Sequence, residues 1–175
     1  SCVLAGNSAF CGGGASEGTV NNCTLTGNSA SRGGGTYGGT LSNCIVYFNK
    51  ALVADDNYSG STVNHCCTTP MPAVGAGNIT VDPQLASLSH LSANSSCLGA
   101  GSAAPASETD IDGEAWATPP SIGCDEYRAG AVTGSLSVGI AAACTNVVPG
   151  CEVGFTALIE GRTAASVWDF GDGTT

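Results

Sequence analysis

The chain has 175 residues and a formal net charge of −10, from four Lys and Arg against fourteen Asp and Glu. Only 10% of residues are charged, against about 25% in an average domain, and so few basic groups exclude a nucleic-acid binder or a polybasic lipid-binding surface. With 42% hydrophobic residues, 26 Gly and ten Cys, and no apolar run long enough to span a bilayer, this is a core-forming chain suited to an extracellular setting.

Taken in chain order, the first feature is a repeat. Cys2, Cys23 and Cys44 are spaced by 21, as are Asn7, Asn28 and Asn49. Leu4, Leu25 and Val46 keep the step, and Gly12-Gly13-Gly14 recurs as Gly33-Gly34-Gly35. The third copy is one residue longer, so Cys66 follows Cys44 by 22. A period near 21 with short apolar alternations and Gly-rich corners predicts a parallel β-helix. Each repeat would be one coil, stacked about 4.8 Å from the next. A helical solenoid needs longer repeats and fewer glycines. The Gly triplets are expected at corners that need positive φ. Asn7, Asn28 and Asn49 would form an amide ladder, and Cys2, Cys23, Cys44 and Cys66 an interior ladder of small apolar side chains, read as buried thiols. Cys11 has no later counterpart, since Arg32 aligns with it. Cys67 points away from the inner ladder and is left with Cys44, Cys97 or no partner. The repeat is already under way at Cys2, and Ser1 is not a start Met, so the chain is expected to be cut from a longer protein or completed by a neighbouring subunit.

The run Asn22-Cys23-Thr24-Leu25-Thr26-Gly27-Asn28-Ser29-Ala30 resembles bacterial right-handed parallel β-helix surface proteins. The likeness continues through His65-Cys66-Cys67-Thr68-Thr69-Pro70, Asp82-Pro83, Leu91 to Cys97, Asp110-Ile111-Asp112-Gly113 and Ile122-Gly123-Cys124-Asp125-Glu126-Tyr127. That series resembles the choice-of-anchor Q domain, whose members are exported and attached to the cell surface. It departs from the family at Ser96, where Pro is usual, and lacks the Arg expected soon after Gly113.

Residues 1–67 are therefore expected to form the coils, and residues 68–127, punctuated by Pro, an irregular cap closing the solenoid's exposed strand edges. Cys97 and Cys124 are the expected disulfide there, because a loop-rich cap has little core of its own. Residues 128–134 read as a linker. From 135 on, alternating Ser135 to Ile140 and Val153 to Ala157 predict half-buried strands. Val167-Trp168-Asp169-Phe170-Gly171-Asp172-Gly173-Thr174 resembles the signature of polycystic-kidney-disease (PKD) domains, which are immunoglobulin-like sandwiches. The resemblance implies that Trp168 and Phe170 fill a core. Residues 135–175 would be the N-terminal half of such a domain, with Cys144 and Cys151 stapling a hairpin across Pro149-Gly150. The expected fold is all-β: a right-handed parallel β-helix with an irregular cap, then a partial immunoglobulin-like β-sandwich.

Chemistry is sparse. A polysaccharide lyase needs a basic residue to remove the proton α to a carboxylate, and the coils offer only Arg32, Lys50 and His65 at scattered positions. An inverting glycosidase needs two carboxyls about 6.5–9.5 Å apart, and Asp55-Asp56 reads as a pair of solvated loop acids. His65 and His90 lie outside any nucleophile motif. Asp110-x-Asp112-Gly113-Glu114 has part of a calcium-loop pattern, with Gly at position 4 where an EF-hand has it at 6, and a turn with Asx-type hydrogen bonds explains the same residues. Asp110, Asp112 and Glu114 stand as candidate Ca²⁺ ligands, with no other cofactor expected. Sequons occur at Asn22, Asn57, Asn78 and Asn94. The expected protein is a non-catalytic extracellular surface component, adhesin-like or filament-forming. Its partners would be copies of itself end to end, surface glycans or other cell-surface proteins. The alternative is a carbohydrate-binding accessory part of a polysaccharide-degrading enzyme, for which Tyr37, Tyr47, Phe48 and Tyr58 are few aromatics.

Overall fold

The computed structural model describes residues 1–103, 109–129, 137–142 and 153–160. The chain divides into two units, Ser1–Ala129 and Gly130–Thr175. Strands are short in the first unit because each runs only as far as a corner. The first coil holds β1 (Cys2–Ala5), β2 (Ser8–Cys11), β3 (Ala15–Ser16) and β4 (Thr19–Asn21). The second holds β5 (Cys23–Thr26), β6 (Ser29–Arg32), β7 (Thr36–Tyr37) and β8 (Thr40–Ser42). The third holds β9 (Ile45–Tyr47), β10 (Lys50–Ala54), β11 (Tyr58–Ser59) and β12 (Thr62–Asn64), and β13 (Cys67–Thr68) opens another turn.

Stacking these coils produces four parallel sheets, each with one strand per coil: β1-β5-β9-β13, β2-β6-β10, β3-β7-β11 and β4-β8-β12. The register is the one the repeat dictates, with Cys2 opposite Cys23, Leu4 opposite Leu25 and Leu25 opposite Val46. The extra residue of the third copy is absorbed within β10. Ala51 pairs with Ala30 at a step of 21, whereas Ala54 pairs with Arg32 at 22, with a bulge between. Beyond it the step stays at 22, as in Leu41 opposite Val63.

Each coil turns four corners, and each corner carries a residue with positive φ. The corner entering the first sheet uses Asn22 (48°), Asn43 (53°) and His65 (47°), and the corner between second and third sheets uses Gly12 (62°), Gly33 (60°) and Asp55 (65°). Only the first glycine of each triplet supplies positive φ. The others are small for a different reason. A Cβ on Gly35 would collide with the Asn57 carbonyl and come within 2.6 Å of Val46 Cγ1, because the next coil's backbone lies directly against it. In the third coil Asp56 and Asn57 occupy these positions, where no further stacked triplet restricts them.

Inside the coils, Leu25, Leu41, Val46, Val63, Cys23, Cys44 and Cys66 form one buried core, joined by Leu4, Val20 and Tyr58. A second core lies on the outer face of the first sheet. There Ile45 and Cys67 pack against Leu91, Cys97 and Ile122 of the cap. The cap therefore does more than close an end. Residues 75–79 add a partial turn, with His65 N–H bonded to Ala76 O (2.7 Å) and Ile79 bridged to Cys67. The chain then runs back along the outside of the first sheet. Gly123 N–H donates to Asn43 O (2.9 Å), and Cys124 N–H to Thr24 Oγ1 (3.3 Å). The reason is alternation: Val46 faces the bore, so Ile45 faces out and needs cover.

In the second unit β14 (Ser137–Ala142) and β15 (Phe155–Glu160) pair antiparallel, from Ser137 opposite Glu160 to Ala142 opposite Phe155. Both fall where the alternation predicts strands. Val138 and Ile140 are exposed, since no second layer packs on them among the described residues. Cys144, Cys151, Trp168, Phe170 and the greater part of the 128–134 linker lie outside the described residues. Among the described residues no helix is long and apolar enough to cross a membrane.

Candidate functional site

The Asn ladder is continuous and longer than the repeat implies. The backbone N–H of Asn7 donates to Asn28 Oδ1 (2.9 Å), that of Asn28 to Asn49 Oδ1 (3.0 Å), and that of Asn49 to Asn57 Oδ1 (3.1 Å). Asn57 then donates through Nδ2 to the Thr69 carbonyl (2.9 Å). Asn57 was legible only as a loop residue. Its signal was its alignment with Gly14 and Gly35, at the one triplet position where a side chain has room to enter the bore. Asn57 is buried in the ladder and Asn22 is buried at its corner, so both sequons are inaccessible, whereas Asn94 is exposed.

Of the cysteine ladder, Cys23, Cys44 and Cys66 are buried, whereas Cys2, on the outermost coil with no coil stacked beyond it among the described residues, is exposed. The buried thiols donate to corner carbonyls, Cys44 to Ser42 O (3.2 Å) and Cys66 to Asn64 O (3.1 Å). Burial pushes the Cys23 thiol up to about 12, and raises Cys44 well above its ordinary range, which keeps both protonated and unreactive. The expected Cys97–Cys124 pairing is not what the structure brings together. Both are thiols: Cys97 packs with Cys67 in the outer core, while Cys124 donates to Ser89 O (3.2 Å). Cys67 faces out of the wall and meets the cap segment carrying Cys97, for the same alternation that exposes Ile45. The hydrogen bond with Cys97, then burial, hold the Cys67 thiol above its usual range.

The cap gathers the buried charges. Asp110 Oδ1 accepts from the N–H groups of Asp112 (2.9 Å) and Glu114 (2.8 Å), and Oδ2 from Glu126 N–H (2.9 Å). Its carboxylate is thus the hub of an Asx-type turn. The expected calcium set of Asp110, Asp112 and Glu114 does not converge on a point; Asp112 turns instead to His90, with Oδ2 3.0 Å from Nε2. Asp125, 1% exposed, accepts from Leu91 N–H (2.8 Å). Glu126 Oε2 accepts from Ser121 N–H (2.8 Å), and Oε1 from Ser121 Oγ (2.9 Å). His90, Asp112 and Asp125 place one donor atom each within 4.8 Å of the others. Sequence reading missed this group because its members are 13 to 35 residues apart on segments without periodicity. Ser87, His90 and Asp112 share the connectivity of a hydrolase triad. The imidazole is buried, however, and Ser87 Oγ accepts from the N–H groups of Ser89 (3.3 Å) and His90 (3.2 Å), so it holds the turn.

A cleft of about 700 Å³ lies on the coil exterior at the β10 bulge, lined by Tyr47, Phe48, Lys50, Asp55, Asp56 and Asn57 among others. The Ala51 N–H (2.8 Å) and the Lys50 ammonium (2.9 Å) engage Asp56 and hold its carboxyl below the usual carboxylate range. Asp55 Oδ2 accepts from Ser59 Oγ (2.8 Å). Both acids are thus engaged locally, while the Phe48 ring stands exposed, edge to face with Tyr47 at 4.8 Å.

Comparison with protein-family models, with curated proteins and with solved structures finds no match to this chain.

Proposed function

We propose that the chain is a non-catalytic structural protein of the cell exterior, a rigid β-helical rod that is adhesin-like or filament-forming. The observation that carries this reading is the in-register stack itself. Four parallel sheets and one unbroken Asn chain lock every coil to the next. A body whose coils are hydrogen-bonded to one another along four sheets and an Asn chain resists bending and proteolysis, which suits display at a surface. Strands β1 to β4 each pair on one side only among the described residues, and a further coil stacked on them would extend the rod. The resemblance to choice-of-anchor Q and PKD segments supports an exported protein. Immunogold labelling of intact producing cells with an antibody to the coils, with negative-stain electron microscopy of the purified protein, tests it. Surface label on rods or fibres is expected; label confined to the cell interior would overturn the reading.

A second reading, a carbohydrate-binding accessory module, is favoured by the cleft with its exposed Phe48 beside Lys50 and Asp55. A glycan array separates the two: selective binding abolished by Phe48→Ala would establish the module.

A further inference from the structure

We propose that His90, Asp112 and Asp125 form a divalent transition-metal site that staples the cap. The three side chains come from separate segments and bring one imidazole nitrogen and two carboxylate oxygens within 4.8 Å of one another. All three are deeply buried: the His90 and Asp112 side chains are 7% and 4% exposed, and Asp125 is 1%. Two carboxylates brought this close in a low-dielectric interior repel one another. A divalent ion between them turns that repulsion into attraction.

The imidazole is already aimed for the task. Ser87 Oγ (2.8 Å) and Ser89 Oγ (2.9 Å) both contact Nδ1, which leaves Nε2 directed at Asp112. On metal binding the Nε2 lone pair goes to the ion, and the ring proton resides on Nδ1, donated to a Ser hydroxyl. Such an outer contact commonly fixes the tautomer of a ligating His. The backbone N–H of Leu91 orients Asp125 in the same way (2.8 Å). One nitrogen and two oxygens form a donor set of intermediate hardness, suited to Zn²⁺ or Mn²⁺ better than to Ca²⁺, which takes six to eight oxygens. Tetrahedral donors about 2.1 Å from an ion stand about 3.4 Å apart, so the side chains close by up to about 1.4 Å on binding. The ion would tie together the turn at 87–90, the Asp110 turn and the segment at 122–126, which otherwise meet through hydrogen bonds.

Imidazole nitrogen NMR on the full chain tests this, because the chain has only two histidines. Zn²⁺ added to metal-free protein is expected to shift His90 at one equivalent, removing the Nε2 proton, while His65 stays unchanged. Asp125→Asn should weaken binding about tenfold or more. Co²⁺ in place of Zn²⁺ should give a spectrum without thiolate charge-transfer bands. An unmoved His90 signal, thiolate bands, or full affinity in a folded Asp125→Asn variant would overturn the site. If that variant does not fold, the His90 and Co²⁺ spectra of the native chain still decide.

Discussion

The coils and the cap bury polar groups in different ways. From residue 1 to 68 every buried polar side chain is Asn or Thr, whereas the cap buries Asp110, Asp125, Glu126 and His90. Stacking explains the contrast. A charge at a coil position that recurs every 21 residues becomes a column of like charges about 4.8 Å apart, with no room for counterions in the bore. An amide at the same position both donates and accepts, so a column of Asn satisfies itself. The cap does not repeat, and each of its carboxylates has individual partners: Asp110 takes three backbone N–H groups, and Glu126 takes Ser121 through both oxygens. Low charge is therefore a property of the repeat, and buried charge a property of the part that escapes it.

The strongest way to break this contrast is to place a charge in the bore. Leu25 is fully buried between Leu4 and Val46 of adjacent coils. Leu25→Asp should cost about 3–5 kcal/mol, as expected for an unpaired buried charge, and remove the cooperative transition from a urea melt followed by circular dichroism. Next in size is a test of coil spacing. Gly35→Ala, whose methyl would enter the space of Asn57 and Val46, should cost about 3 kcal/mol, as overpacking does. Gly6→Ala, with positive φ but nothing within 4 Å of the new Cβ, should cost only about 1 kcal/mol. Equal midpoints for the two in urea would show that the coils are looser than described. In the cap the effect should be smaller than that of Leu25→Asp and confined to its own region. Asp110→Asn sets an amide NH₂ against backbone N–H donors and should cost about 1–3 kcal/mol. Hydrogen exchange should quicken at the amides of Asp112, Glu114 and Glu126 while those of the coil strands keep their protection. Equal loss in both regions would mean that coils and cap unfold as one.

The coils were readable because the repeat reports contacts directly: residues 21 apart in sequence are neighbours across the stack. Cys2, Cys23 and Cys44, or Asn7, Asn28 and Asn49, are pairs of contacts written into the chain. The cap lacks that property. Alternation shows that Cys67 leaves the bore, yet it cannot show that Cys97 waits outside, because the path from 80 to 97 carries no period. The same holds for His90. Its neighbours Ser87 and Ser89 are visible in sequence, but Asp112 and Asp125 reach it only when two distant segments fold against the first sheet. Asp110, by contrast, was readable as an Asx-type turn because its acceptors serve residues two and four positions on.

The sequence by itself determined the all-β solenoid, its 21-residue step, the amide and thiol ladders and the absence of charge from the bore. Each follows from local alternation or from repetition, and both are visible along one dimension. Tertiary structure alone decided that the cap doubles back over Ile45 and Cys67. It also decided that Asn57 extends the ladder, and that one imidazole and two carboxylates share a buried point. Those outcomes depend on where non-repeating segments find cover for outward apolar side chains, and that surface exists only once the coils have stacked.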